Sequence, residues 1–266
     1  MNTNILNTAV QEFINANLKS DITKIILKGS PFSNVSIQEI AEQIESKKRC
    51  EKKLPTWFSA ENIYYPNKLN IEQTSSEKTA NYKANLIRGN TLVDITGGFG
   101  VDCHSFSQKV NQITHCEINE KLSIIATHNN KQLNKKNITT YNGNGLEYLK
   151  NCTLKFDWIY ADPSRRNDIK GKVFLLEDCL PNIPENLDFL FEKSSNILLK
   201  ISPILDITSA KNELKFVKEI HIVAVGNEVK ELLLLLEKNY TQQIDIKTFN
   251  FDKKGNQQFN FSLNEV

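Results

Sequence analysis

The segment Thr91-Leu92-Val93-Asp94-Ile95-Thr96-Gly97-Gly98-Phe99-Gly100 constrains the fold of this chain more than any other. It reads as an apolar strand that carries an acid near its end, turns through three glycines and enters a helix. Glycine lets a backbone approach a ligand closely and take φ values that other residues resist. Alone the pattern is ambiguous, because Gly98-Phe99-Gly100 followed by Cys103 lies one step from the dinucleotide fingerprint. Its surroundings say more. From Thr91 onward, strand-like runs alternate with helical ones: Thr91–Ile95, Gln112–Ile118, Asn137–Tyr141, Lys155–Ala161, Asn196–Ser202, Glu219–Val225 and Ile244–Phe251. One intervening helix, Glu120 to Leu133, brings Leu122, Ile125, Ala126 and Leu133 near one face. Alternation of this kind predicts a Rossmann-like α/β domain whose mostly parallel, seven-stranded sheet is covered on both faces. Its ligand belongs beyond the carboxyl ends of the strands.

Residues 1 to about 56 show helical periodicity and no strand. Ser36 and Glu39 form a capping-box pattern ahead of Ile37, Ile40, Ala41 and Ile44, which share one helix face. The predicted organisation is a small helical N-terminal domain with its connector at 1–70 and the Rossmann-like domain at 71–266. Lys47, Lys48, Arg49, Lys52 and Lys53 end the helix before Leu54-Pro55, either as a solvated end that complements the helix dipole or as a patch facing RNA. Trp57, Phe58, Tyr64 and Tyr65 in the connector suit packing between the two parts, with base stacking as the alternative.

Charge does not decide the partner, since 33 Lys and Arg stand against 31 Asp and Glu. The five cysteines are scattered without a CxxC pair, which predicts free thiols, a reducing compartment and no metal. Cys179 reads as structural, because no neighbouring base would lower its pKa. The four histidines, His104, His115, His128 and His221, read as scaffold residues. Met1 to Lys19 is polar and amphipathic rather than a secretory signal, and the longest apolar run, Leu232 to Leu236, is far too short to span a bilayer. A soluble, cytoplasmic protein with no membrane partner is expected.

Two acids bear on the choice of cofactor. Asp94 near the end of the first strand suits the ammonium of an amino-acid moiety and would repel a pyrophosphate, which favours S-adenosyl-L-methionine over NAD. Glu117 closes the second strand, where an acid meets ribose hydroxyls, and so supports a nucleoside of either kind. Asn144, in Asn142-Gly143-Asn144-Gly145, sits where a side chain reaches an adenine amine, although Asn-Gly is also an ordinary turn. After the fourth strand comes Asp162-Pro163-Ser164-Arg165-Arg166. Asp162 with the rigid Pro163 turn suits an acceptor that aligns an attacking amine. Arg165 and Arg166 suit a phosphate or carboxylate on the substrate, or else pair with Asp168 or Glu177 at the surface.

The Asp94 to Gly100 loop together with Asp162-Pro163 resembles class I methyltransferases. More narrowly, Gln73-Thr74-Ser75-Ser76-Glu77, Asp162 to Arg166, Ile201-Ser202-Pro203 with Leu205-Asp206, and Asn227-Glu228 with Lys230 to Leu233 resemble the bacterial class I methyltransferases that carry a THUMP-like domain. The resemblance covers most of residues 30 to 240. It implies contacts to S-adenosyl-L-methionine from Ser75, Ser76, Asp94, Gly97, Glu117 and Asp162, with Gly98 and Gly100 completing the turn, and it implies RNA as the substrate class. Two features depart from the pattern. Amine methyltransferases usually place an aromatic after a Pro-Pro pair, where this chain has Ser164 and Arg165, so stacking would fall to Tyr64, Tyr65 or an Arg plane. Relatives also continue into a C-terminal RNA-binding module, so a chain ending at Val266 reads as a truncation or a short member. The alternatives are a catalytically silent RNA-binding or assembly protein, and a methyltransferase acting on protein or small molecules.

Overall fold

The computed structural model describes residues 1–165 and 175–262. Everything before residue 87 that is regular is helical. The helix Ile37–Lys53 starts as its sequence predicts: the Ser36 side chain accepts from the Glu39 N–H while Glu39 reaches back to the Ser36 N–H. Its buried stripe includes Ile37, Ile40, Ala41 and Ile44, and the three isoleucines join a cluster that also takes in Phe99, Val101, Leu122 and Ile125 from beside the sheet.

The sheet has nine strands: β1 (Thr91–Asp94), β2 (Gln112–Glu117), β3 (Ile138–Asn142), β4 (Phe156–Ala161), β5 (Ser194–Ile201), β6 (Val217–Val225), β7 (Glu228–Glu237), β8 (Asp245–Phe251) and β9 (Gln257–Ser262). Their spatial order is β9-β8-β6-β7-β5-β4-β1-β2-β3. All neighbours run parallel except β7, which is antiparallel to β5 and β6, and β9, antiparallel to β8. The expected parallel α/β sheet is present with two strands more than predicted.

The missed strands have physical reasons. In β7 the run Leu232–Leu236 has no period-two alternation because both faces are covered. Leu233 and Leu235 pack with Trp158, Tyr160 and Leu198, whereas Leu232, Leu234 and Leu236 pack with Ile159 and Ile197 on the other side. Gly226 and Asn227, at φ 61° and 64°, make the two-residue turn that folds β6 back into β7. The last strand, β9, is polar with Phe259 and Phe261 and lies at the sheet edge. A two-residue ribbon, Ser164–Arg165 against Cys179–Leu180, stands apart from the sheet.

The chain order β1-β2-β3 runs outward in one direction and β4-β5 in the other, so β1 and β4 flank the switch point. Among the described residues no helix is long and apolar enough to cross a membrane.

Candidate functional site

A cleft of about 800 Å³ opens at the carboxyl ends of β1, β4 and β5. The turn after β1 supplies Asp94, Gly97 and Gly98, the turn after β4 supplies Asp162 to Ser164, and the last two residues of β5 supply Lys200 and Ile201. Asn70 and Gln73, on the short helix Lys68–Gln73, form the facing wall with Ser75.

The glycine turn packs tightly against β2. A Cβ at Gly97 would lie 2.6 Å from the Cys116 carbonyl oxygen and 2.7 Å from the His115 ring, so no side chain fits there without displacing backbone. Gly98 and Gly100 take φ of +62° and +86°. Gly100 lies behind the turn and precedes the helix Val101–Phe106.

Asp94 is 1% exposed. One carboxylate oxygen accepts from the Thr96 N–H at 2.9 Å and the Thr96 hydroxyl at 3.1 Å, and the other accepts from the Cys103 thiol at 3.2 Å. Burial pushes its pKa up to about 7, against the pull of those hydrogen bonds. Thr96 links the acid to the second carboxylate of the cleft, since its hydroxyl accepts from the Asp162 N–H at 2.7 Å. Asp162 is half-buried and ion-paired with Lys200. Burial opposes the charge on Lys200, but Asp162, Asp102 and Glu231 outweigh it and hold the ammonium above its ordinary pKa.

Beneath the cleft lies a charged layer that the sequence reading did not isolate. The fully buried Lys83 is ion-paired with Glu231 and with Asp102, the latter at 3.2 Å, and donates to the Ser75 hydroxyl at 3.0 Å. Asp102 also accepts from Ser75 at 3.0 Å and from the Tyr160 hydroxyl at 2.8 Å. Ser75 therefore sits in the cleft wall with its hydroxyl fixed from below. Signals for these residues existed: Lys200 interrupts the apolar run Ile197 to Ile201, and Lys83 falls on the helix face of Ala80 and Ala84.

Glu117, Asn144 and Ser76 stand outside the cleft lining. Glu117 is buried, and its two oxygens accept from the Gly98 N–H at 2.7 Å and the Asn119 N–H at 2.6 Å, so it pins the glycine turn from behind. Asn144 caps the helix Gly145–Asn151 by accepting from the Leu146 and Glu147 N–H groups. Ser76 caps the helix Glu77–Leu86. Pro163 lines the cleft beside Asp162. The Arg165 backbone pairs with Cys179, and its side chain, like Arg166, lies outside the described residues.

The aromatic connector packs rather than offering a stacking face. Tyr64 and Tyr65 are buried, Tyr65 donates to the Trp57 carbonyl at 2.7 Å, and Trp57 lies against Phe99. The basic helix end is largely used internally. Lys47 is buried over the rings of Phe58 and Tyr65, Arg49 holds Glu72, and Lys53 donates to the Ile71 and Glu72 carbonyls, which leaves Lys48 and Lys52 exposed.

Asp94, Cys103 and His115 converge, their potential ligand atoms lying within 4.8 Å of one another, and this is where a metal ion would have to be sought among the described residues. The Cys103 thiol spends its proton on Asp94 there, and burial pushes that thiol well above its ordinary pKa. Burial also lowers the His115 ring to about 4.

No family model and no curated protein matches the sequence. Among solved structures, the chain is similar to a protein of Porphyromonas gingivalis W83 proposed to be a methyltransferase, at 31% identity and a TM-score of 0.85. The alignment covers 98% of this chain and 66% of that one, so the chain spans just under two thirds of its relative's length. M. capricolum TrmK, crystallised with S-adenosyl-homocysteine, aligns over 61% of this chain and 68% of its own at 20% identity and a TM-score of 0.44. An rRNA methylase from Streptococcus thermophilus aligns over 60% of this chain and 94% of its own at 11% identity and a TM-score of 0.44. The likeness to the P. gingivalis protein runs through the N-terminal helices as well as the sheet and gives this chain a methyltransferase fold.

Proposed function

We propose that this chain is a cytoplasmic S-adenosyl-L-methionine-dependent methyltransferase acting on a base nitrogen of RNA. The observation that supports it most is the meeting, in one cleft at the switch point, of the Asp94 to Gly98 turn with Asp162. The cleft is large enough for a nucleoside joined to an amino acid. Asp94 and Ser75 are placed for the amino-acid end. Glu117 supports the ribose indirectly, by fixing the Gly98 N–H.

When bound, S-adenosyl-L-methionine supplies a methyl group on sulfonium: the acceptor nitrogen's lone pair forms the new N–C bond as the S–C bond breaks, leaving a thioether and a proton to be shed. The protein's part is alignment and proton acceptance. Thr96 and Pro163 fix the backbone at Asp162, so its carboxylate can accept the acceptor's N–H and later its proton. RNA rests on the narrower resemblance to the methyltransferases with a THUMP-like domain, carried by residues 73–77 and the Asp162 to Arg166 motif. Ser202 and Lys230 at the cleft mouth, with Arg165 and Arg166 following the turn, are the residues assigned to the substrate side.

Calorimetry with S-adenosyl-L-methionine and with NADH, followed by tritium transfer to bulk RNA with and without ribonuclease, tests the reading. Binding of the first cofactor and ribonuclease-sensitive transfer are expected. Binding of NADH alone would remove the cofactor assignment, and transfer that survives ribonuclease would move the substrate to protein or small molecules.

A further inference from the structure

The Lys200 ammonium occupies the place that a cationic acceptor would take. It lines the cleft from the end of β5, its side chain is 11% exposed, and it is paired with one oxygen of Asp162, the residue assigned to receive the acceptor. The same oxygen, Oδ2, takes the hydrogen bond, and among the described residues no donor is bonded to Oδ1 of this half-buried carboxylate.

We propose that Lys200 is a positioning and specificity-determining residue: by pairing with Asp162 it reserves the carboxylate's second oxygen for a neutral N–H acceptor, such as a base amine or ring N–H, and rejects cationic amines. The inference rests on the methyltransferase reading and narrows its substrate. Pairing supports it. Asp162 already has the Lys200 ammonium on Oδ2, so an alkylammonium acceptor would meet a carboxylate whose charge is matched and would be crowded against a like charge. A neutral N–H donor asks only for an oriented acceptor, which the pair provides. Burial raises the Asp162 carboxyl above its ordinary pKa and Lys200 acts against that rise, so losing the ammonium favours the protonated acid further.

The test uses the full chain loaded with S-adenosyl-L-methionine and two acceptor probes, bulk RNA from cells lacking the gene and poly-L-lysine, with Lys200→Met and Lys200→Arg as variants. The wild type is expected to label RNA and leave poly-L-lysine unlabelled. In Lys200→Met, kcat/KM on RNA should fall about tenfold or more, and the acid limb of its pH profile should move upward as Asp162 takes up a proton more readily. Lys200→Arg should restore the acid limb toward its wild-type position. Cofactor affinity, measured separately by calorimetry, should change less than about threefold in either variant, which shows that the cleft is still folded. Wild-type kcat/KM and an unmoved pH profile in Lys200→Met would overturn the role of Lys200 while leaving the methyltransferase reading intact. Labelling of poly-L-lysine by the wild type at a rate comparable to RNA would overturn the exclusion of cations. A wild type that binds no S-adenosyl-L-methionine or labels neither probe sinks both the parent reading and this one.

Discussion

Replacing Lys83 by Met removes one charge from the layer under the cleft while keeping an unbranched side chain of similar length. Lys83 is wholly buried, Glu231 has 4% of its side chain exposed and Asp102 has 12%. Both carboxylates would lose their nearest cation in a place water scarcely reaches. Breaking a buried pair from one side typically costs about 3–5 kcal/mol, because the surviving charge is left uncompensated. For a chain of this size each kcal/mol lowers Tm by roughly 2–4 °C, which gives a fall of roughly 6–20 °C. The pH dependence identifies the cause. In the wild type, burial raises the Asp102 pKa, but Lys83 and Lys200 outweigh it and hold the carboxyl below its ordinary value of 3.8. A depressed carboxyl contributes stability above its unfolded pKa and loses it as pH falls through the folded one. In Lys83→Met the Asp102 carboxyl moves the other way, so its contribution is present in acid and lost as pH rises. The deficit against wild type should therefore shrink toward pH 4 and be widest at neutral pH. Calorimetric unfolding at pH 4.5 and 7.5 measures it, and the double variant Lys83→Met with Glu231→Met should recover much of the loss by removing a stranded charge. A Lys83→Met protein within about 1 kcal/mol of wild type at neutral pH, or an equal deficit at both pH values, would refute the electrostatic account.

Glu117→Ala should weaken S-adenosyl-L-methionine binding by roughly ten- to a hundredfold, the equivalent of about 1.5–3 kcal/mol, because the Gly98 and Asn119 N–H groups lose their acceptor; calorimetry checks it, and unchanged affinity would remove Glu117 from the site. Asp162→Ala should cut single-turnover transfer about a hundredfold or more with little change in cofactor affinity, and a wild-type rate would take Asp162 out of the mechanism. Asp94 has a folded pKa raised to about 7, so the cofactor-free protein should lose stability as pH rises from about 4 through 7, and Asp94→Asn should flatten that slope in thermal unfolding. The same titration should make cofactor affinity rise across that range in the wild type, because the ammonium needs the ionised acid; a pH-independent affinity would argue against that contact.

What the sequence made legible was whatever local physics states locally. The capping box at Ser36 and Glu39, the buried strand ending at Asp94 and the glycine turn each put their signal within a few neighbouring residues, and each is present as read. The five leucines of β7 failed the same reading because a strand covered on both faces has no alternation to show, and five residues are too few to separate strand from buried helix. Asn144 and Ser76 illustrate another limit: each lies at the start of a helix, where capping uses the same oxygen that a ligand would need, and sequence position cannot choose between the two. The charged layer was the least accessible. Lys83 meets Glu231 across 148 residues of chain and Asp102 across an intervening strand, so neither pair falls within the few neighbouring residues that a local pattern uses. Yet each member broke an apolar pattern: Lys83 on the face of Ala80 and Ala84, Lys200 inside Ile197 to Ile201, and Glu231 ahead of Leu232. A lone charge at a position whose neighbours are all buried demands a partner of opposite sign. When a cation-bearing helix, a cation-bearing strand and an acid-bearing strand all end beside one cleft, the partners are one another, and the floor of the site can be inferred from three separate violations of hydrophobic pattern.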